Sequence, residues 1–171
     1  MPASVKGGIE LRKALRQFAP DLAKETQKEI ANALKPIVKE ARGFVNESPL
    51  SNWAREGGKF PRFDASIIKR GIGYKTTPSK PNKKGFRALA QIRNMSAAGA
   101  IYETAGRRPA GTKPSSRPNF AQAMGELSGS GRDRGRLIFK AWENDYGNAT
   151  KAVLKAIDNA SKQLNARAGK R

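Results

Sequence analysis

The chain has 171 residues, of which 34 are Lys or Arg and 14 are Asp or Glu, so its formal net charge is +20. It contains no cysteine and no histidine, which excludes disulfides, thiol catalysis, Cys-based metal sites and the usual Ser-His and Cys-His catalytic pairs. A charge this large repels itself, and proteins usually retain it because a polyanion, most often nucleic acid, is nearby.

Length and hydropathy bear on domain number and compartment. We expect a single domain over residues 1–171, with a loose N-terminal arm at 1–8, a flexible connection at 128–135 and a frayed basic tail at 166–171. A membrane surface is a second candidate partner, but no apolar run approaches the roughly 20 residues that span a bilayer. The first residues also lack the apolar core of a signal peptide. Because the chain has no cysteine, the cytosol is the expected compartment.

Two helices are predicted in the N-terminal third of the chain. Apolar residues recur at helical spacing over residues 9–18, and the pair Pro20-Asp21 is typical of a new helix start. The second helix keeps an apolar face at a spacing of three to four residues as far as Val45. Pro36 lies inside this pattern, removes one backbone donor, and should kink the helix near Asn32.

A strongly basic segment follows at residues 66–95. Ser66–Thr77 is rich in strand formers, residues 77–85 have the composition of a hairpin turn, and Phe86–Met95 alternates like a return strand. No acid occurs between Ala65 and Tyr102. A solvated face is the ordinary interpretation of such charge, but the absence of interleaved acids favours contact with a polyanion. The candidate contact positions are Lys69, Arg70, Lys75, Lys80, Lys83, Lys84 and Arg87.

No motif for reading bases accompanies these cations. There is no recognition-helix signature, no zinc-finger spacing and no aromatic strand motif for RNA, so we expect contacts with phosphates that are insensitive to sequence. The positive charge could also face an acidic protein surface.

The stretch Ala97–Phe120 joins a short apolar turn to a basic loop rich in proline. Gly106 ends the turn, which carries one acid, Glu103. We interpret Glu103 as half of a structural ion pair rather than as a general base. No phosphate-binding loop, dinucleotide-binding glycine motif or metal-ligand spacing appears in the chain. The sequence therefore predicts a protein that is not an enzyme and that has no cofactor and no metal site.

One long helix is predicted near the C-terminus, over residues 136–164. Its apolar stripe contains Ile138, Trp142, Tyr146, Ala149, Val153, Ile157, Ala160 and Leu164. The stripe could be a coiled-coil seam, but the bulky aromatic residues suit packing within the helix's own domain better.

Four short motifs occur in an order that resembles the neck, or tail-completion, proteins of long-tailed double-stranded DNA bacteriophages. Ile9–Leu15 (IELRKAL) resembles the opening helix of that family, and Ala33–Arg42 (ALKPIVKEAR) is similar to its long helix. Ala97–Gly106 (AAGAIYETAG) is similar to its small-x-x-apolar-aromatic-Glu-x-Gly turn, and Arg117–Met124 (RPNFAQAM) to the segment before its closing helix. The chain departs from the family at residues 48–60, at Ala105, where an aromatic residue is usual, and in having no histidine.

The resemblance implies an α+β subunit in which a long kinked N-terminal helix and a C-terminal helix pack on a small antiparallel sheet with extended loops. It implies a homo-oligomeric ring, with a hexamer as the expected form, at the head–tail junction of a virion. The ring would assemble in the host cytoplasm, contact other head–tail connector and tail-tube proteins, and let genomic double-stranded DNA pass. We expect no membrane among its partners.

Within such a ring, two further groups of residues receive roles. The proline-rich loop would contact neighbouring subunits through Arg107, Arg108, Lys113 and Arg117, since its prolines lower the entropy cost of ordering it. Tyr102, Trp142 and Tyr146 would be core or interface residues. The alternative is a sequence-nonspecific nucleic-acid-binding protein of ribosomal or nucleoid type, which would use the same basic segment.

Overall fold

The computed structural model of the chain describes residues 7–47, 61–105, 127–128 and 134–169, apart from the side chain of Tyr146. Within these residues the elements are α1 (Gly8–Phe18), α2 (Pro20–Gly43), α3 (Ala65–Gly71), β1 (Ile72–Lys75), β2 (Gln91–Asn94), α4 (Ala97–Thr104) and α5 (Ile138–Ala168). Strands β1 and β2 form a small two-stranded antiparallel sheet. The predicted α+β fold class is confirmed.

The described residues divide into two compact units. The first unit contains residues 7–36, 74–91 and 146–169, and the second contains residues 37–47, 61–73, 92–105, 127–128 and 134–145. Helices α2 and α5 and both strands contribute residues to each unit. That the whole chain forms one domain stays a prediction.

The core of the first unit lies where α1 meets α2. The backbone N–H of Ala19 still bonds to the carbonyl of Leu15 (2.8 Å), and Pro20 then begins the next helix, where a missing donor has no cost. This break lets both helices turn apolar residues inward. The buried cluster contains Leu15, Ala19, Leu22 and Ala160, with Leu11, Ala23 and Leu164 packed against it.

The second unit is built around the C-terminal part of α2, which continues through Pro36 to Gly43. Its buried apolar residues include Ile37, Val38, Ala41, Val45, Ile68, Ile72, Ala98, Tyr102, Leu137 and Ala141. The guanidinium of Arg42 donates from Nε and Nη2 to the carbonyl oxygen of Ile72 (3.1 and 2.7 Å), which links α2 to β1.

The prediction of a bent strand over Ser66–Thr77 was wrong for its first half, which is helix α3. Asp64 is the N-cap of this helix, and its Oδ1 accepts a hydrogen bond from the backbone N–H of Ile67 (2.9 Å). Such a cap stabilises a helix start by about 1 kcal/mol, and Ile68 is fully buried once the helix forms. The cap and this burial together outweigh the strand propensity of the β-branched residues.

Helix α4 begins at a polar turn that follows β2. Ser96 is its N-cap, and the Ser96 hydroxyl accepts from the backbone N–H of Gly99 (3.0 Å). The Oδ1 atom of Asn94 in turn accepts from the backbone N–H and the hydroxyl of Ser96 (3.0 and 2.9 Å). The Asn94 side chain is thereby held against the first turn of α4.

Helix α5 confirms the predicted C-terminal helix, but the residues that it buries are only in part those of the predicted apolar stripe. Its most buried residues are the alanines Ala141, Ala149, Ala156 and Ala160. Val153, Ile157 and Leu164 are only half-buried. The sequence pattern identified the helix correctly because its period is sustained, whereas it overstated the contribution of the larger side chains.

An ion pair joins the start of α2 to the end of α5 within the first unit. Arg167 donates from Nη1 and Nη2 to the two carboxylate oxygens of Asp21 (3.0 and 2.7 Å). This hydrogen-bonded contact with Arg167 lowers the pKa of Asp21. Both side chains are more than half exposed, so the pair is screened by salt.

We expect Arg167→Gln to raise the pKa of Asp21 toward the ordinary aspartate range, in a ¹³C-carboxyl NMR titration. Since the folded pKa lies below the unfolded one, the pair stabilises the fold above the unfolded pKa. This contribution is lost as the pH falls through the folded pKa. Lys162→Gln is the matched control, because Lys162 pairs with Asp158 instead. Equal Asp21 titrations in the parent chain and Arg167→Gln would contradict the prediction.

Candidate nucleic-acid interface

Strands β1 and β2 are the base of a hairpin (residues 72–94) that ends in a defined turn. Within it, the hairpin tip (residues 79–88) is closed by hydrogen bonds from Ser79 N to Ala88 O and from Asn82 N to Phe86 O, both 2.9 Å. At the turn itself, the backbone N–H of Gly85 donates to the carbonyl of Asn82 (2.9 Å). Gly85 has a φ of +75°, which glycine adopts without steric cost. A β-turn followed by a left-handed glycine is a common hairpin closure.

The side chain of Asn82 stabilises this turn from inside. Its Oδ1 atom accepts hydrogen bonds from the backbone N–H groups of Lys84 and Phe86, each at 2.9 Å. Asparagine is favoured at the first position of such turns because its short side chain can satisfy backbone donors two residues on. Asn82 therefore fixes the backbone that carries Lys83 and Lys84.

Four of the predicted contact residues lie together on the hairpin tip. All four are exposed: Lys80, Lys83, Lys84 and Arg87. In the described part of the chain, no carboxylate lies within ion-pair distance of any of them. Arg87 donates from Nε to the carbonyl of Ser79 (2.9 Å), which bonds it across the two arms. The tip is a positively charged surface on an ordered backbone.

The other three predicted contact residues lie elsewhere. Lys75 is exposed on β1 in the first unit, whereas Lys69 and Arg70 lie on α3 in the second unit. The Nζ atom of Lys69 is 3.9 Å from a carboxylate oxygen of Glu47, a long and exposed contact that contributes little. The structure thus separates the seven residues into a tip group of four, one strand residue and a pair on α3.

A buried arginine holds the base of the hairpin. Arg12 of α1 is only 8% exposed, and its Nη1 atom donates both to the carbonyl of Thr76 on one arm and to that of Leu89 on the other (3.1 Å to Leu89). Gln27 adds a bond to the Thr76 hydroxyl (2.8 Å). Burial, and to a lesser degree the nearby Arg16, lowers the pKa of Arg12, but a guanidinium stays protonated at neutral pH.

The roles of Arg12 and Asn82 were not predicted from the sequence. Arg12 lies three residues before Leu15, on the buried face of the helix, so an arginine interrupting an apolar face was the available signal. For Asn82, the signal was the string Asn-Lys-Lys-Gly, which suits a turn closed by a left-handed glycine.

A second polar cluster surrounds Glu103, which is 4% exposed. Its carboxylate accepts hydrogen bonds from the backbone N–H groups of Leu137 (2.9 Å), Ile138 (3.1 Å) and Phe139 (3.0 Å). These groups lie at the start of α5, where N–H groups lack helical partners and the helix dipole favours negative charge. Glu103 therefore has a structural role, as an acceptor of backbone bonds.

The residues predicted as core, interface or inter-subunit contacts fall into three groups. Tyr102 is buried, its hydroxyl accepts from the backbone N–H of Asn46 (3.2 Å), and its ring centroid lies 6.2 Å from that of Phe63. Trp142 is half-buried. The side chain of Tyr146 and the loop residues Arg107, Arg108, Lys113 and Arg117 lie outside the described residues.

Comparisons of the chain with protein-family models, with curated proteins and with solved structures found no match. In the described ranges, none of the helices has the length and apolar character needed to cross a membrane. The same residues contain no cluster of acidic side chains that could hold a metal ion.

Proposed function

We propose that this chain is a structural virion protein, a subunit of a ring at the head–tail junction of a long-tailed phage through which genomic DNA passes. The observation that carries the proposal is the exposed hairpin tip, whose four cations have no carboxylate partner among the described residues. Like charges on one short hairpin tip repel one another, and a polyanion at the tip relieves that repulsion.

The composition of the tip suits DNA in transit. Lysine contacts phosphate as a point charge and has no fixed geometry, so the contacts do not depend on base sequence. Exposed charge pairs are individually weak and salt-sensitive. A surface of this kind lets a duplex pass, whereas tight binding would stall it.

The assignment to the head–tail junction is supported by the sequence resemblance. Four motifs occur in the order found in neck and tail-completion proteins, and they are distributed over most of the chain. Three of them fall on described helices. IELRKAL lies in α1 with the buried Arg12, ALKPIVKEAR lies in α2, and AAGAIYETAG contains the helix α4 with Tyr102 and Glu103. The α+β fold class and the long helices are those that the resemblance implies.

A second candidate function is a sequence-nonspecific nucleic-acid-binding protein of ribosomal or nucleoid type. The same unpartnered hairpin tip favours it, since phosphate contacts alone do not distinguish the two classes. The two classes differ in self-assembly. A connector closes into a ring without nucleic acid, whereas a free binding protein can bind nucleic acid as a monomer.

Electron microscopy of the purified full chain, alone and with isolated phage heads or tails, tests the proposal. We expect closed rings with an axial hole wide enough for duplex DNA. Light scattering at low and high salt should then give a hexamer or larger ring under both conditions. Monomers in every preparation, ordered only on addition of DNA or RNA, would favour the second candidate function.

A further inference from the structure

We infer that the hairpin tip is a preorganised contact for the phosphates of duplex DNA, and that Asn82 is the residue that positions its lysines. The choice of duplex DNA rests on the proposed function. A phosphate contact in general is indicated by the bonds that order the turn, the chemistry of the cations and the scarcity of apolar surface around them.

The order of the turn is the first step. Asn82 contributes four hydrogen bonds within the tip: two accepted by its side chain, one accepted by its carbonyl and one donated by its own N–H. Lys83 and Lys84 occupy the two positions inside this network, so their backbone is fixed before any ligand arrives. A surface ordered in advance loses less conformational entropy on binding, and its affinity is higher for the same number of charges.

The chemistry of the side chains is the second step. Three of the four cations are lysines, which bind phosphate without the planar geometry that recognises a base edge. The single arginine, Arg87, uses its Nε atom for a bond to Ser79. The Oδ1 atom of Asn82 is occupied by the turn. The tip therefore offers positive charge and little capacity to read sequence.

The small apolar content of the tip is the third step. Protein interfaces have apolar centres that are depleted in lysine, whereas the tip has lysines around a single half-exposed aromatic residue, Phe86 (41% exposed). A two-stranded ribbon of this kind has dimensions that the major groove of B-DNA admits. These features favour a nucleic acid over an acidic protein as the partner.

The test measures how the affinity of the full chain for a duplex of about 30 base pairs changes between about 50 and 200 mM salt. Each lysine that neutralises a phosphate contributes about 0.9 to the slope of log K against log salt. Lys83→Ala/Lys84→Ala should therefore reduce the slope by about 1.8. The matched control is Lys151→Ala/Lys155→Ala, which removes two exposed lysines of α5 and should leave the slope nearly unchanged.

Asn82→Ala tests the positioning role because it removes no charge. We expect the affinity to fall about fivefold with an unchanged slope, since the same lysines still contact phosphates from a looser turn. Amide exchange at Lys84 and Phe86 should accelerate at the same time. Asn82→Ser, which keeps a side-chain acceptor suited to this position, should recover part of both effects.

Several results would overturn the inference. One is a slope that changes no more in Lys83→Ala/Lys84→Ala than in the α5 control. Another is preferential binding of a single-stranded oligonucleotide. A third is a Lys83→Ala/Lys84→Ala variant that loses binding to poly-glutamate but keeps its binding to DNA, which would identify an acidic protein as the partner of the tip. An Asn82→Ala variant with unchanged affinity would remove the positioning role.

The two tests separate this inference from the proposed function. Closed rings together with an unaffected salt slope in Lys83→Ala/Lys84→Ala would contradict this inference alone. A reduced slope in that variant together with monomers in every preparation would contradict the proposed function alone.

Discussion

Glu103→Ala should lower the free energy of unfolding by about 3 kcal/mol, because it leaves buried backbone donors without an acceptor. The carboxylate accepts from three consecutive N–H groups at the start of α5. Hydrogen bonds to a charged group are stronger than those to a neutral one, and alanine can replace none of them. Urea unfolding followed by circular dichroism measures the difference.

Two further variants separate this role from a general effect of charge. Glu103→Gln keeps one carbonyl oxygen in place and should lose about half as much stability. Glu143→Ala removes an exposed glutamate of α5 and should change the free energy of unfolding by no more than about 0.5 kcal/mol. If Glu103→Ala behaved like Glu143→Ala, Glu103 could not be an essential acceptor for the helix start.

Gly99→Ala is the second large effect, with an expected loss of about 2 kcal/mol in the free energy of unfolding. A Cβ atom at Gly99 would lie 2.1 Å from Nδ2 and 2.4 Å from Oδ1 of Asn94. The Asn94 side chain cannot easily move aside, because its Oδ1 holds the Ser96 cap. The added methyl therefore breaks the turn that begins α4 or displaces the helix.

Gly147 offers the matched control, since it also lies in a helix but a Cβ there meets nothing within 4 Å. Gly147→Ala should stabilise the chain by up to about 1 kcal/mol, the difference in helix propensity. Combining Gly99→Ala with Asn94→Ala should cost less than the sum of the two single changes, because the smaller side chain leaves room for the methyl. Strict additivity would show that the clash with Asn94 is not the cause.

The sequence predicted the long helices well and the short elements poorly. Helices α1, α2 and α5 carry sustained apolar periods with clear starts, so local physics determines them. Helix α3 depends on one cap residue, Asp64, and on the burial of Ile68, neither of which a run of strand formers reveals. Burial of α5 on its alanines was equally hidden, because alanine carries a weak signal in a hydropathy pattern.

The candidate site was predictable in charge but not in architecture. The acid-free run between Ala65 and Tyr102 located the cations, and the turn composition located the tip. Arg12 bonds to Thr76 and Leu89, which follow it in the chain by 64 and 77 positions. No local sequence pattern encodes such a pairing. The sequence also gave no indication that Lys69 and Arg70 lie on a helix in the other unit.

The bonds of Arg12 have a mechanical consequence for the hairpin. A single nitrogen atom joins the carbonyls of Thr76 and Leu89, so the two arms cannot separate at their base unless the guanidinium releases at least one of these carbonyls. A force that spreads the arms at their base would have to break one of these two hydrogen bonds, and it would act on α1 through Arg12. Opening of the hairpin at its base is therefore coupled to the position of Arg12 on α1.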